Sequence, residues 1–423
     1  NWTPSENLTL KSISAYRELD SFLYQDYLSG QFGPVASLIT RDTLEQEQWS
    51  QEFQVLGSAL DQRLDYVAGI YYFREDGDWS NRNSLPAFGQ ATGDDAEVEN
   101  RAFALYAQAT WTPEALDRRL HTTLGGRWSR DQRQATLSKF ALAGGSVIPL
   151  GDGKGDQTFT DFSPSITVAW DLDDNSNLYF KVGSGYKTGG FNIRPSTIAK
   201  FEEGFDEETL LSWEMGIKSE LWDNRLRVNA ATFYADYDDI QLNTSSDIND
   251  PTRADILNAG KGTIKGLELD VTAALHQRLT LALSYGYLDA GYDEIIDGLG
   301  NDVTANYTFV NTPRHSLLAD LDWDIAELPI GELRFNVNYS WQDDKAITSS
   351  TTRGVFGIEA YGLVNARLTL AEIPGIPAGS LRVAAWGRNL DDKTWAFLNA
   401  PLFGGYRAYG EPRTWGIDII WDY

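Results

Sequence analysis

Large apolar and polar side chains take turns along much of this chain, and that period of two limits what it can fold into. In "LRFNVNYSWQ" (333–342), Leu333, Phe335, Val337, Tyr339 and Trp341 alternate with Arg334, Asn336, Asn338, Ser340 and Gln342. "LTLALSYGY" (279–287), "NLYFKVGSGYK" (177–187) and the C-terminal "TWGIDIIWDY" repeat the pattern. Successive side chains of a strand point to opposite faces, so each segment predicts a strand with one apolar and one polar face. On a helix the same residues scatter around the axis and leave no apolar stripe. The alternation predicts roughly sixteen strands. They lie near 8–17, 45–56, 63–74, 100–112, 118–132, 158–171, 176–188, 208–221, 225–239, 255–273, 278–290, 308–324, 331–343, 358–370, 379–389 and 412–423.

Connector length adds a second regularity. Short links such as "LDDN" (172–175), "WDN" (222–224) and "ALHQ" (274–277) alternate with long segments rich in Gly, Asp, Asn, Ser and Thr. The long ones, roughly 14 to 27 residues each, include 73–100 and 141–157 and are expected to be loops. Short turns at one end and long loops at the other describe an outer-membrane barrel; a soluble sandwich or propeller has no reason to sort its loops this way. About ten residues at ~3.3 Å each, tilted near 45°, climb ~23 Å, matching an apolar band of roughly 25 Å. An open sheet edge in hydrocarbon leaves backbone groups unpaired, and closure removes it. A one-residue slip would turn Arg334 to lipid at about 2–4 kcal/mol near the midplane, so register is strongly set.

Composition narrows the function. A formal charge of -26 argues against nucleic-acid binding. There is no cysteine, so disulfides and thiolate metal sites are excluded. No apolar run reaches the ~18 residues of a membrane helix. His121, His276 and His315 are scattered without metal-ligand spacing, and no nucleophile–base pair or phosphate loop stands out, which predicts no enzyme and no cofactor. "GDGKGD" (151–156) and "DGLGND" (297–302) lack EF-hand spacing and read as solvated loops; calcium bridging to lipopolysaccharide is the alternative.

Several segments resemble the C-terminal barrel of TonB-dependent outer-membrane receptors. They are "FDEETLLSWEMGIKSELWDNRLRVNAATFYADYDDIQ" (205–241), "NAGKGTIKGLELD" (258–270), "FVNTPRHSLLADLDW", "GRNLDDKTW" (387–395) and "GEPRTWGIDIIWDY", in the family's order. The resemblance implies an all-β transmembrane antiparallel barrel over 1–423, sited in the Gram-negative cell outer membrane, with short periplasmic turns and long extracellular loops. It implies uptake of a scarce nutrient (a ferric siderophore, a vitamin or an oligosaccharide) powered by the TonB complex through a plug domain. Neither the plug nor the TonB box is found here, and the strands number fewer than the family's roughly twenty-two. "NWTPSENLTLKSISAYR" reads as the end of a strand at Asn1 and Trp2, a tight turn at Thr3–Asn7, then a new strand, as in the back portion of a longer receptor. A complete passive or structural pore of about sixteen strands is the alternative.

The same reading nominates residues. By parity, Arg227, Asn229, Arg334, Asn336, Asn338, Arg367, Arg382 and Arg388 line the lumen wall, where wall–plug pairing is the first expectation. Trp395, Phe397, Phe403 and Tyr406 are loop aromatics that could contact a ligand or pack the loops. Trp415, Ile417, Ile419, Trp421 and Tyr423 resemble the terminal signal read by the barrel-assembly machinery, and equally fit an interfacial aromatic girdle. The expected partners are outer-membrane lipid and lipopolysaccharide, the plug and TonB complex, the assembly machinery and a small-molecule or oligosaccharide ligand.

Overall fold

The structure, a computed structural model, describes residues 1–26, 38–86, 89–144, 146–244, 255–297, 300–350, 356–375, 379–400 and 406–422. It opens with β1 (Trp2–Ser5), β2 (Leu8–Asp26), β3 (Ile39–Ala59), β4 (Leu64–Leu85), β5 (Gln90–Trp111), β6 (Leu120–Ala143), β7 (Ser146–Asp173) and β8 (Ser176–Lys187). A short helix, α1 (Ile198–Glu203), precedes β9 (Glu208–Leu221), β10 (Leu226–Thr244), β11 (Asp255–His276), β12 (Leu279–Ile295), β13 (His315–Leu328) and β14 (Gly331–Gln342). Then come β15 (Lys345–Ala346), β16 (Gly357–Ile358), β17 (Tyr361–Ala371), β18 (Ser380–Arg388), β19 (Ala396–Ala400), β20 (Tyr406–Tyr409) and β21 (Thr414–Asp422).

Seventeen of these strands form one antiparallel sheet in which each pairs with the next. The small ribbons β15–β16 and β19–β20 stand outside it, so β14 pairs with β17 and β18 with β21. Among the described residues, β1 pairs only with β2 and β21 only with β18. The sixteen expected strands are all present as the long members of this sheet; β1 is the short addition. At the chain start the strand is Trp2–Ser5 rather than Asn1–Trp2, because Trp2 and Ser5 pair with Leu10 and Leu8 and leave the turn to Glu6 and Asn7.

Register settles the facing. Phe335 lies opposite Trp323 and Leu368, and Val337 opposite Leu321 and Ala366. Asn336 lies opposite Asp322 and Arg367 on the other face. The apolar face carries exposed Phe53, Ile70, Phe162, Phe180, Met215, Leu267 and Leu368, and among the described residues no second protein layer covers them. A soluble fold would bury such a band; hydrocarbon solvates it.

The strands run further than the alternation predicted. β7 spans 28 residues, far beyond the roughly ten needed to cross the apolar band. The segments 73–100 and 141–157 are therefore not loops: they are continuations of the β4–β5 and β6–β7 hairpins. Ladder pairing satisfies their backbone groups above the membrane, and polar cross-strand pairs replace the apolar face. "GDGKGD" is likewise strand, not solvated loop. A Cβ on Gly153 would come 2.7 Å from Phe201, and one on Gly155 would come 2.1 Å from Phe191. Glycine there flattens one face of β7 to seat the segment 188–207. Phe201, fully buried, packs with Ala96, Ala135 and Leu137, flanked by Trp79, Val98, Phe191, Ile193 and Ile198.

The sheet parts between β7 and β8. β7 pairs with β8 only up to Ser165–Gly183. Beyond it β7 continues with β6 to Ser146, and β8 continues with β9 to Lys187–Glu208. The seated segment 188–207 crosses the β7 side of this gap.

Candidate functional site

The polar face of β13–β21 gathers most of the predicted wall residues. Asn336 Nδ2 donates to Asp320 Oδ1 (3.0 Å) and Asp322 Oδ1 (2.9 Å). Asn365 Nδ2 donates to Asn338 Oδ1 at 2.8 Å, and its own oxygen accepts the Asn389 N–H at 2.9 Å. Arg367 lies 2.8 Å from Asp418 Oδ2, whose other oxygen accepts the Trp386 indole N–H at 3.0 Å. Arg334 pairs with Asp324 and Glu332, Arg382 with Asp422, and the Arg388 guanidinium lies 5.4 Å from the Trp386 ring centroid. Asp322, Arg334, Asn336, Arg367, Arg382 and Asp418 line a recess of ≈ 400 Å³. Nearly every cation here has an anion, so the wall offers hydrogen-bonding groups of both signs rather than a field of one sign.

Arg227 and Asn229 do not join this group. They lie on β10 and line a separate recess with Asp171, Asn177, Lys218 and Glu220 near the short turns; Arg227 pairs with Glu220 at 3.1 Å. His121 belongs to the same end. Its Nε2 is 2.8 Å from Asp171 Oδ2 and its Nδ1 is 2.9 Å from Thr112 Oγ1, so it is less isolated than its spacing implied.

Above the membrane band, the mouth holds groups that alternation did not flag. Lys139 is buried and donates to the Pro195 carbonyl at 2.9 Å. Asp255 accepts from the Ser196 N–H (2.9 Å) and hydroxyl (2.6 Å). Tyr186 on β8 reaches Asp131 on β6, and Arg133 donates to Thr188 at 3.1 Å, so side chains span the gap where the ladder stops. A second cluster stacks Tyr292 on Phe309 at 4.2 Å over Ile240, Leu242 and Ile295. Burial pushes the Tyr307 phenol up, with Asp297 adding to the shift. The readable signal for these groups was the glycine repeat of β7, which marks a close approach rather than a solvated tip.

Of the loop aromatics, Trp395 stacks on Tyr361 with centroids 4.6 Å apart and meets Phe397 edge-on at 6.5 Å. Phe403 and Tyr423 lie outside the described residues, as does the Tyr406 side chain. Trp415, Ile417, Ile419 and Trp421 share the apolar face of β21 and are 80%, 68%, 72% and 58% exposed. Two segments quoted above work as structural pins. The Asn258 amide donates to the carbonyls of Asp206, Glu207 and Asp239. Asn389, buried and left-handed at φ 49°, bonds Lys393 at both ends of its amide and also the Glu411 carbonyl.

Comparison with known proteins places this geometry. Residues 1–390 match the family model described as TonB dependent receptor-like, beta-barrel. A stretch of 230 residues is 29% identical to the pesticin receptor of Yersinia pestis, covering 53% of this chain and 31% of that protein. Another of 272 residues is 26% identical to the ferric-pyoverdine M114 receptor PbuA of Pseudomonas sp. (strain M114), covering 62% and 29%. Among solved structures, the ferric yersiniabactin uptake receptor FyuA of Yersinia pestis superposes with a TM-score of 0.79 at 18% identity, covering 99% of this chain and 60% of that one. The siderophore receptor PiuA of Acinetobacter baumannii gives 0.71 at 15% identity, covering 98% and 62%. The matched part thus spans about a third of the curated relatives and about three-fifths of the solved chains. With its fully alternating antiparallel sheet and its family match, the chain belongs to the TonB-dependent receptor-like β-barrels of the outer membrane.

Proposed function

We propose that this chain forms most of the barrel wall of a TonB-dependent receptor that takes up a scarce nutrient, with a ferric siderophore as the ligand class, and that it is a transporter rather than an enzyme. The family match over residues 1–390 carries the reading. The names of relatives that refer to ferric pyoverdine and ferric yersiniabactin support the ligand class. In this reading residues 1–423 are the barrel portion, and energy reaches the ligand through a plug domain engaged by the TonB complex. The Arg334–Arg388 wall and the Arg227–Asn229 recess face that plug across a hydrated lumen. Trp395 and Phe397 stand at the mouth for ligand contact, and the β21 apolar row engages the assembly machinery.

A self-closed passive pore of about sixteen strands is the second reading; among the described residues β1–β2 and β21 are not paired with one another.

Uptake decides between these readings. The full-length gene product, expressed in an iron-starved host lacking its own ferric receptors, is expected to accumulate radio-iron given as ferric yersiniabactin or ferric pyoverdine only when TonB is present. Equal uptake without TonB, or a steady conductance in planar bilayers, would overturn the receptor reading. TonB-dependent uptake of a vitamin or an oligosaccharide and of no ferric chelate would overturn the ligand class alone.

A further inference from the structure

The parting of β7 from β8 begins at membrane depth. The last ladder pair, Ser165–Gly183, lies eight positions above Asp173 at the short-turn end of β7. At ~3.3 Å per residue and a tilt near 45° that is ~19 Å up an apolar band of roughly 25 Å. This is the level of the outer-leaflet acyl chains. Pro164, the next residue of β7, has no N–H to give a ladder and suits an open edge. On the apolar face, exposed Phe162 stands on one side of the slit, and exposed Leu211, opposite Ser184, stands on the other. The Tyr186–Asp131 contact closes the slit from above. Its free length is therefore the three residues from Gly183 to Tyr186, ~10 Å.

Hydrocarbon penalises such a slit. Backbone groups without partners cost several kcal/mol each there, and irregular backbone persists at membrane depth where it lines a polar cavity. The lumen face supplies one. A recess of ≈ 550 Å³ directly inside the slit is lined by Thr123, Ser165, Thr167, Lys181, Ser184 and Ser212 among others. It extends to Gly185, where a Cβ would meet nothing within 4 Å. Lys181 is the only charged residue among the described lining. Its cross-strand neighbour Glu214 accepts the Tyr179 hydroxyl at 2.8 Å instead. Among the described residues no carboxylate pairs with Lys181, which is exposed to the recess. The recess is thus cationic and rich in hydroxyls, and one flank opens toward acyl chains.

We propose that this recess and slit form a lateral port that binds a single-chain carboxylate amphiphile, a fatty acid in chemical terms. The carboxylate sits on Lys181 and the surrounding hydroxyls. The alkyl chain leaves between Pro164 and Ser184 and runs along Phe162 into the outer leaflet. A slit of this length passes one chain and excludes the several chains of a glycolipid or phospholipid. The port is separate from the Arg334–Arg388 wall and does not depend on which nutrient the receptor carries.

The test uses the full-length receptor in lipid nanodiscs and three photo-probes: palmitate with a diazirine beside the carboxylate, palmitate with a diazirine at the chain end, and the methyl ester of the first. Cross-links are mapped by peptide mass spectrometry. The carboxyl-end probe is expected to label 165–167 and 181–185, and the chain-end probe the Phe162 side of the slit. Lys181→Gln is expected to lower the carboxyl-end labelling roughly tenfold, as loss of one charge-assisted hydrogen bond does. Gly185→Phe, which fills the recess, is expected to abolish it. Lys11→Gln, a cation on the lumen face of β2, is expected to leave it unchanged. Each variant is read only after heat-modifiable gel mobility shows a folded barrel; the comparison of acid with ester needs no variant. Equal labelling of the recess by the ester, no labelling there by the acid, or unchanged labelling in Lys181→Gln or Gly185→Phe would overturn the proposal.

Discussion

Arg367 and Asp418 form a 2.8 Å ion pair although their strands, β17 and β21, are not neighbours. The pair reaches over β18, where the register sets Ala384 opposite both Thr369 and Asp418 and Trp386 opposite Arg367. Ala384 is buried, and its small side chain is what lets the two long ones meet above it.

Ala384→Leu is accordingly expected to wedge Arg367 from Asp418 and to destabilise the barrel by about 1–3 kcal/mol, as overpacking does. The measurement is the temperature at which heat-modifiable gel mobility is lost. An unchanged midpoint would mean that the pair does not need the gap.

The seat of segment 188–207 depends on glycine at two positions of β7. Gly155→Val would drive a side chain into Phe191, and Gly153→Val one into Phe201. Each is expected to release the segment at a cost of about 1–3 kcal/mol. Phe201→Ala empties the same seat from the other side, at about 3–5 kcal/mol. Limited proteolysis within 188–207 should rise in all three variants, while the barrel stays heat-modifiable.

Facing can be checked with two adjacent positions of β14. Val337→Arg puts a cation on the apolar face and is expected to cost about 2–4 kcal/mol in folding into lipid vesicles. Asn336→Arg, on the polar face, keeps a donor beside Asp320 and Asp322 and is expected to cost less than Val337→Arg. Equal costs would contradict the assignment of faces.

Asp302 sets a pH dependence in the connection after β12. Its carboxylate accepts from the Thr304 hydroxyl (2.6 Å) and N–H (3.0 Å), and these bonds hold it below the usual carboxylate range. A depressed folded value means that the stabilisation is fully present above the unfolded value and is lost as pH falls through the folded one. The Thr304 methyl NMR signal is expected to stay fixed at neutral pH and to shift in acid below the ordinary Asp range. Asp302→Asn should abolish that shift.

Much of the fold was legible because lipid enforces a period of two: every strand that crosses it must sort its side chains, and Val337 and Asn336 declare their sides without help from neighbours. Parity alone put Arg334, Asn336, Asn338 and Arg367 on one face of the sheet. What parity cannot give is who meets whom. Arg367 finds Asp418 through Ala384, and His121 finds Asp171 across a strand pair, by registers that no local pattern encodes. Above the membrane the lipid constraint ends, so the hairpin extensions read as loops and the glycines of β7 as solvent-facing. The buried Lys139 and Phe201 were hidden for the same reason: Lys139 meets Pro195 of the distant segment 188–207 besides its cross-strand neighbour Asp94, and Phe201 of that segment meets Ala96, Ala135 and Leu137.

The parting of β7 from β8 above Ser165 and Gly183 gives the rim a seam. Below that point, widening the wall would have to unzip ladder bonds one after another. Above it the flaps are joined by the Tyr186–Asp131 and Arg133–Thr188 clasps and by segment 188–207, seated through Phe201 and the Lys139–Pro195 bond, so the upper rim spreads only if that segment moves with it while the lower cylinder keeps its circumference.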